Sequence, residues 1–314
     1  MFNFASLKFK FMEVENTVIK NSMKAWVLAA RPKTLAGAAV PIMVGVALAF
    51  VDSRMYSINA FSVNAAILCL LFAFIMQIDA NFINDFFDYV NGNDDNTRLG
   101  PRRACAQGWI SVNAMKKGIA LTTTIACAVG LPLVLYGGLE MVLIGLICIV
   151  FCFLYTTHLS YLGMGDVLVL VFFGIIPVCI SYYIQLHTVT LECFIISLAC
   201  GLVIDTLLIV NNFRDIQNDM KVGKKTIAVT FGAKPTLYLY LIIGFIACGL
   251  CFIFFKSGRI WAAILPLVYL AFHFFTFRRM AYIKKGKALN IILGMTARNI
   301  FIFGLMVTLG ILLK

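Results

Sequence analysis

Two stretches of this chain set carboxylates and amides into sequence that is otherwise almost pure hydrocarbon. The first runs Asn81-Phe-Ile-Asn84-Asp85-Phe-Phe-Asp88-Tyr-Val-Asn91-Gly-Asn-Asp94-Asp95, and the second Asn211-Asn212-Phe-Arg214-Asp215-Ile-Gln-Asn218-Asp219. At about 100° per residue, Gln77, Asn81, Asn84, Asp88 and Asn91 fall on one helical stripe, with Asp85 at its edge and Asp79 roughly opposite. Asn211, Asp215 and Asp219 share a face in the second stretch. Oxygen-only donors of this kind suit Mg²⁺, which proteins hold with a few carboxylates and complete with substrate phosphates. Basic residues follow each stripe: Arg98, Arg102 and Arg103 after the first, Lys221, Lys224 and Lys225 after the second. Carboxylates, Mg²⁺ and Arg/Lys together form the constellation that binds a diphosphate and stabilises it as a leaving group.

The surrounding sequence dictates where this chemistry sits. Of 314 residues 62% are hydrophobic and 13% charged, with a mean hydropathy of +0.95, which makes the chain a polytopic membrane protein. Apolar runs give nine expected spans at 34–51, 61–83, 117–136, 139–155, 166–185, 191–210, 236–255, 260–277 and 289–313. Each acidic stretch closes an apolar run, where an acid near mid-membrane costs about 2.5–3.5 kcal/mol and marks a functional site by default. With the N-terminus inside, 21 of the 26 Lys and Arg residues fall on one side. That asymmetry implies a cytoplasmic N-terminus, an external C-terminus and both acidic stretches at the cytoplasmic face of a cell membrane. Residues 1–22 read as an N-terminal extension contributing little, ahead of a single transmembrane domain over 23–314, and residues 1–20 carry no signal-peptide pattern.

Other chemistries have little support. The net charge of +12 is distributed between apolar runs as topology-setting loops, so no nucleic acid partner is expected. The ten cysteines lie mostly inside apolar spans as small hydrophobes, and three scattered histidines do not form a zinc or haem set. No dinucleotide-binding or Walker sequence is present.

The combined motifs resemble the UbiA superfamily of intramembrane prenyltransferases. The resemblance rests on Asn84-Asp85-x-x-Asp88 with Asp94, and on Asn211-x-x-x-Asp215-x-x-x-Asp219. Finer elements resemble the menaquinone branch, the 1,4-dihydroxy-2-naphthoate polyprenyltransferases: Ala30-Arg31-Pro32-Lys33-Thr34-Leu35, Arg98-Leu-Gly-Pro101-Arg102, Tyr161-Leu-Gly163-Met-Gly165-Asp166, and Gly223-Lys224-Lys225-Thr226. The chain departs from the pattern at Asn91, where members commonly carry Lys, and over Thr156–Ser160, which lacks the usual Gly/Pro character. The resemblance implies an all-α fold of nine helices around a central cavity. It also implies Mg²⁺-dependent transfer of a polyprenyl group from polyprenyl diphosphate to dihydroxynaphthoate, with loss of diphosphate and CO₂, giving demethylmenaquinol. On this reading Asn84, Asp85, Asp88, Asp94, Asn211, Asp215 and Asp219 are the metal set. Asp88, Asp215, Asp219 and Arg98 carry catalysis. Lys33, Asn81, Arg98, Arg102, Tyr155, Tyr161, Arg214 and Lys225 contact the substrates.

A prenyltransferase with a 4-hydroxybenzoate-like acceptor is the nearest alternative, and a membrane cation transporter the alternative from another class. A pore would favour acids deep in several spans and has no use for the basic loops. The sidedness is directly testable. A reporter fused within 92–110 or 221–234 is expected to read cytoplasmic, and one after Lys314 external; a cytoplasmic C-terminus would refute the nine-span topology.

Overall fold

The computed structural model describes residues 18–55, 61–93 and 98–313. Among them, nine helices are long and apolar enough to cross a membrane: α1 (Met23–Met55), α2 (Val63–Val90), α3 (Val112–Gly137), α4 (Glu140–Leu159), α5 (Gly165–Leu186), α6 (Leu191–Lys221), α7 (Ala233–Ser257), α8 (Ile260–Ile283) and α9 (Lys287–Leu312). The all-α, polytopic expectation holds. The helices carrying the acidic stripes run on past their apolar segments, α2 to Val90 and α6 to Lys221. Continuing the helix keeps the backbone hydrogen-bonded while each stripe emerges from the hydrocarbon. A polar face therefore stands at the end of each of these two membrane helices.

α1 is broken near its start. Arg31 adopts a left-handed conformation (φ 50°) ahead of Pro32, and a short 3₁₀ turn (Pro32–Thr34) restarts the helix at Leu35. Asn81 of α2 fastens this break, its Nδ2 donating to Ala30 O (2.9 Å) and Thr34 Oγ1 (3.0 Å). Residues just before α1 belong to the same cap: Asn21 N donates to Trp109 O (2.7 Å), and Ser111 N donates to Asn21 Oδ1 (3.0 Å). The last residues of the expected extension thus hold the α2–α3 loop.

The helices are unequally enclosed. α6 is the axis and is mostly buried, whereas α4 is almost wholly exposed on its outer side and lines the cavity on its inner side. Where α5 crosses α6, Gly174 and Gly201 meet so closely that a Cβ on Gly174 would lie 2.6 Å from Gly201 Cα and Ser197 O. Apolar lipid supplies no hydrophobic drive for helix association, so close backbone approach and dispersion must hold this crossing. On the face opposite the stripes, Arg259 joins α1 and α6 through Asp52 and Glu192 (2.8 Å to Glu192), and Tyr182 of α5 donates to Asp52 (2.6 Å). Removing one partner of so buried a pair costs about 3–5 kcal/mol.

An apolar cavity of about 540 Å³ opens among the helices. Its lining comes from α1 to α6, including Phe72, Met76, Ile149, Phe172, Phe173 and Leu207. The expected nine-helix enclosure is narrower in fact: α7, α8 and α9 pack their Ala247, Cys251, Tyr269, Phe303 and Val307 against α1, α5 and α6 and buttress the wall from outside. Gly174→Ala should drive a methyl group into the α6 backbone, an overpacking cost of about 1–3 kcal/mol. Its thermal transition in detergent is expected to fall by several degrees. Gly249→Ala, which meets nothing within 4 Å, should leave the transition in place or raise it.

Candidate functional site

The polar stripes meet above the mouth of the apolar cavity. Asn84, on the α2 stripe, lines the cavity and accepts a hydrogen bond from Thr156 Oγ1 at 2.5 Å. Thr156 sits in a widened π turn, Tyr155–Leu159, that ends α4. One helical turn beyond Asn84, Asp88 is 8% exposed, with Arg103 Nη2 2.6 Å from its Oδ2. Its Oδ1 accepts from Asn93 Nδ2 (3.3 Å), which also donates to the Tyr161 hydroxyl (2.5 Å). Lys224 Nζ stands 5.3 Å from the centre of the Tyr161 ring, a cation–π contact. Lys224 also lies within electrostatic reach of Asp88 and Asp219.

The α6 stripe is built differently. Arg214 binds Asp215 through two parallel bonds, Nε to Oδ1 at 2.8 Å and Nη2 to Oδ2 at 2.5 Å. This fork-on-carboxylate pairing is the strongest geometry for such ions. Arg214 Nη1 donates to Asn290 Oδ1 (2.9 Å), and Asn290 Nδ2 donates to Leu99 O (2.8 Å), which links α6, α9 and the loop after α2. Gly100 presses on the guanidinium, and a Cβ there would lie 2.8 Å from Nη2. Asn211 lines the cavity; Asp219, 9% exposed, closes the stripe within electrostatic reach of Asp215 and Asp88. Arg98, Arg102, Arg103 and Lys287 border an adjoining recess of about 210 Å³, with Arg98 Nε donating to Pro101 O (3.1 Å).

Several expected roles change. Asp85, expected among the metal ligands, spends both carboxylate oxygens on backbone amides: Ala104 N to Oδ2 (2.8 Å) and Cys105 N to Oδ1 (2.9 Å). It is fully buried and, with Arg31 at 3.9 Å, pins the loop that delivers Arg103. Asn81, expected at the substrate, is consumed by the α1 break. Arg214, expected at the diphosphate, is 5% exposed and committed to Asp215 and Asn290. Asp94 lies outside the described residues. Tyr155 lines the cavity, while Lys33 and Lys225 are exposed side chains on this face. Asp79 turns to α3, where Thr122 and Thr123 donate to its two oxygens.

Sequence reasoning passed over Asn93, Thr156, Asn290 and the pairing of Arg103 with Asp88. Asn290 carried a signal, a polar amide opening an apolar span; the choice of Arg103 over its two neighbours carried none. Among the described residues no group of three or more His, Cys, Asp or Glu comes together as a metal cage. The donors are nevertheless all oxygens, offered singly and in pairs beside cations, which fits an ion that takes one or two carboxylates and completes its shell with phosphates.

Comparison with known proteins agrees with this architecture. Residues 38–303 match the UbiA prenyltransferase family. The chain is 34% identical to 1,4-dihydroxy-2-naphthoate octaprenyltransferase of Escherichia coli K12, covering 76% of this chain and 79% of that one. It superposes on a UbiA homolog from Aeropyrum pernix K1 with a TM-score of 0.67 at 15% identity, covering 90% of this chain and 98% of the other. A UbiA homolog from Archaeoglobus fulgidus bound to DMAPP and Mg²⁺ gives 0.62 at 17% identity over 90% and 98%. An apolar chamber under an acid- and arginine-rich rim, on a chain matched over most of its length, identifies a transferase of prenyl groups: the protein belongs to the UbiA prenyltransferase family.

Proposed function

We propose that this chain transfers a polyprenyl group from polyprenyl diphosphate to 1,4-dihydroxy-2-naphthoate, releasing diphosphate and CO₂ and forming demethylmenaquinol, with the acidic rim at the cytoplasmic face. The observation that carries the reading is the junction of two environments in one site. A cavity of about 540 Å³, walled by residues such as Phe72, Ile149 and Phe172, lies directly beneath Asn84 and Asn211. An allylic diphosphate has the same division, a hydrocarbon tail and an anionic head. The naming of the Escherichia coli relative as a dihydroxynaphthoate octaprenyltransferase supports the choice of acceptor.

Asn84, Asp88, Asn211, Asp215 and Asp219 are the residues to hold Mg²⁺ with the substrate phosphates. Held there, Mg²⁺ would supply positive charge to stabilise the diphosphate as a leaving group. Arg98, Arg102 and Lys225 supply charge-assisted contacts to the phosphate oxygens, with Lys33 beside them. Arg103, held on Asp88, and Lys224, held over Tyr161, keep further positive charge at the same rim. Below it the apolar wall keeps water from the allylic cation, and the Tyr155 ring can face that cation. Attack by the electron-rich ring carbon that bears the carboxylate couples carbon–carbon bond formation to loss of CO₂.

With labelled polyprenyl diphosphate, Mg²⁺ and a panel of aromatic acceptors, the purified protein should convert dihydroxynaphthoate to a product without the carboxyl group. CO₂ and diphosphate should appear one for one, and EDTA should stop both. Asp88→Asn and Asp215→Asn should abolish turnover while the protein still folds; the amide is the better test at 215, because alanine would strand the buried Arg214. Arg98→Ala should slow transfer roughly 10–150-fold, the equivalent of about 1.5–3 kcal/mol for a charge-assisted contact. A product retaining its carboxylate, or preference for 4-hydroxybenzoate, would refute the acceptor. Failure to consume any prenyl diphosphate would refute the transfer itself.

A further inference from the structure

One arginine at the rim stands between two places. Arg103 Nη2 lies 2.6 Å from Asp88 Oδ2, and the two side chains are 10% and 11% exposed. The other oxygen of Asp88 accepts from Asn93 Nδ2 at 3.3 Å. Both oxygens of this carboxylate are therefore engaged within the protein. Arg103 also borders the recess of about 210 Å³, together with Arg98, Arg102, Gln107 and Lys287. A single side chain thus touches the acid and borders a basic hollow.

The backbone that carries Arg103 is fastened on its far side. Ala104 N and Cys105 N donate to Asp85, Gln107 N donates to Arg103 O (3.0 Å), and Trp109 N donates to Ala104 O (2.9 Å). Arg103 can accordingly change partners by turning its side chain while the loop stays in place. The two contacts on Asp88 also differ in charge. Asn93 is neutral and is anchored a second time on the Tyr161 hydroxyl, so it tolerates a cation on the same carboxylate. A guanidinium does not, because two cations on one buried carboxylate repel strongly at short range. The recess already gathers Arg98, Arg102 and Lys287, so a fourth cation turns into it only to meet an anion.

We propose that Arg103 is the exchangeable counter-ion of Asp88, yielding the carboxylate to a divalent cation and turning into the recess to meet a phosphate group. The inference rests on the pairing of Mg²⁺ with diphosphate in the proposed function. No covalent bond changes in the exchange. A divalent cation alone must compete with Arg103 for Asp88, and a phosphate alone meets an Arg103 committed to that acid. Together they satisfy both partners of the opened ion pair. Coupling between metal and phosphate then resides in one side chain, and Arg102, which borders the same recess, does not share it.

The test uses full-length protein in nanodiscs of zwitterionic lipid, as wild type, Arg103→Gln, Arg103→Lys and Arg102→Gln. Mn²⁺ binding is read from the spin-resonance signal of the free ion, and binding of preformed Mg²⁺–diphosphate by calorimetry. Arg103→Gln should bind Mn²⁺ at least about tenfold more tightly than wild type, while Arg102→Gln stays within about threefold. Arg103→Gln should carry none of that gain into Mg²⁺–diphosphate, having lost its phosphate contact. Arg103→Lys, which keeps the charge without the fork, should fall between wild type and Arg103→Gln for Mn²⁺, and answers the same question if the Gln variant does not fold. The inference is overturned if both Arg103 variants bind Mn²⁺ as wild type does, or if Arg102→Gln gains as much, the pattern of a general field effect. An equal gain for Mn²⁺ and Mg²⁺–diphosphate in Arg103→Gln would overturn it as well. Wild-type protein that binds neither probe would instead refute the function on which the inference depends.

Discussion

A carboxylate at the edge of a hydrocarbon layer must find compensation, and much of this fold is the means of supplying it. Asp88 is met by Arg103, Asp215 by the fork of Arg214, and Asp85 by two backbone amides with Arg31 beyond. On the opposite face Asp52 and Glu192 converge on Arg259. Arg214 pairs with its neighbour Asp215 and reaches α9 and the loop after α2 through Asn290, while the other pairings join separate segments, so charge compensation also fixes the positions of helices and loops. Desolvation makes such pairs weak sources of net stability, yet losing one partner is expensive. The arrangement therefore specifies geometry more than it adds stability.

The consequence for chemistry is a rim where Asp88 and Asp215 are each already paired with an arginine and further cations stand beside them. On the proposed function, a metal would add positive charge near Asp88 and Asp219, and the diphosphate negative charge near Arg98, Arg102 and Arg103. The two additions would offset each other, which on that proposal favours taking up both together. Below the rim, α1 to α6 enclose the apolar chamber while α7 to α9 hold α1 and α6 in place. The close crossing of Gly174 and Gly201 keeps α5 and α6 together, and both helices wall the chamber.

What was legible in the sequence follows the physics of each feature. The nine spans could be read because lipid demands long apolar helices, and the stripes because α2 and α6 continue as regular helices through Val90 and Lys221. Helical periodicity separated Asp79, bound to the α3 threonines, from the neighbouring stripe. Periodicity could not separate Asp85 and Asn81 from Asn84 and Asp88, since all four fall on or near one face. What distinguishes them is the path of the chain at Ala30–Thr34 and at Ala104–Cys105, which is set by tertiary folding. Loops have no period, so nothing marked Arg103 over Arg98 or Arg102 as the partner of Asp88.

On the proposed function, metal and diphosphate are gathered jointly at this rim. Titration calorimetry with an unreactive polyprenyl thiodiphosphate analogue, with and without Mg²⁺, tests it most directly. The account predicts affinity at least about tenfold higher with Mg²⁺, a difference of about 1.4 kcal/mol, and loss of that gain in Asp88→Asn. Equal affinity with and without Mg²⁺, or a gain that survives Asp88→Asn, would contradict it.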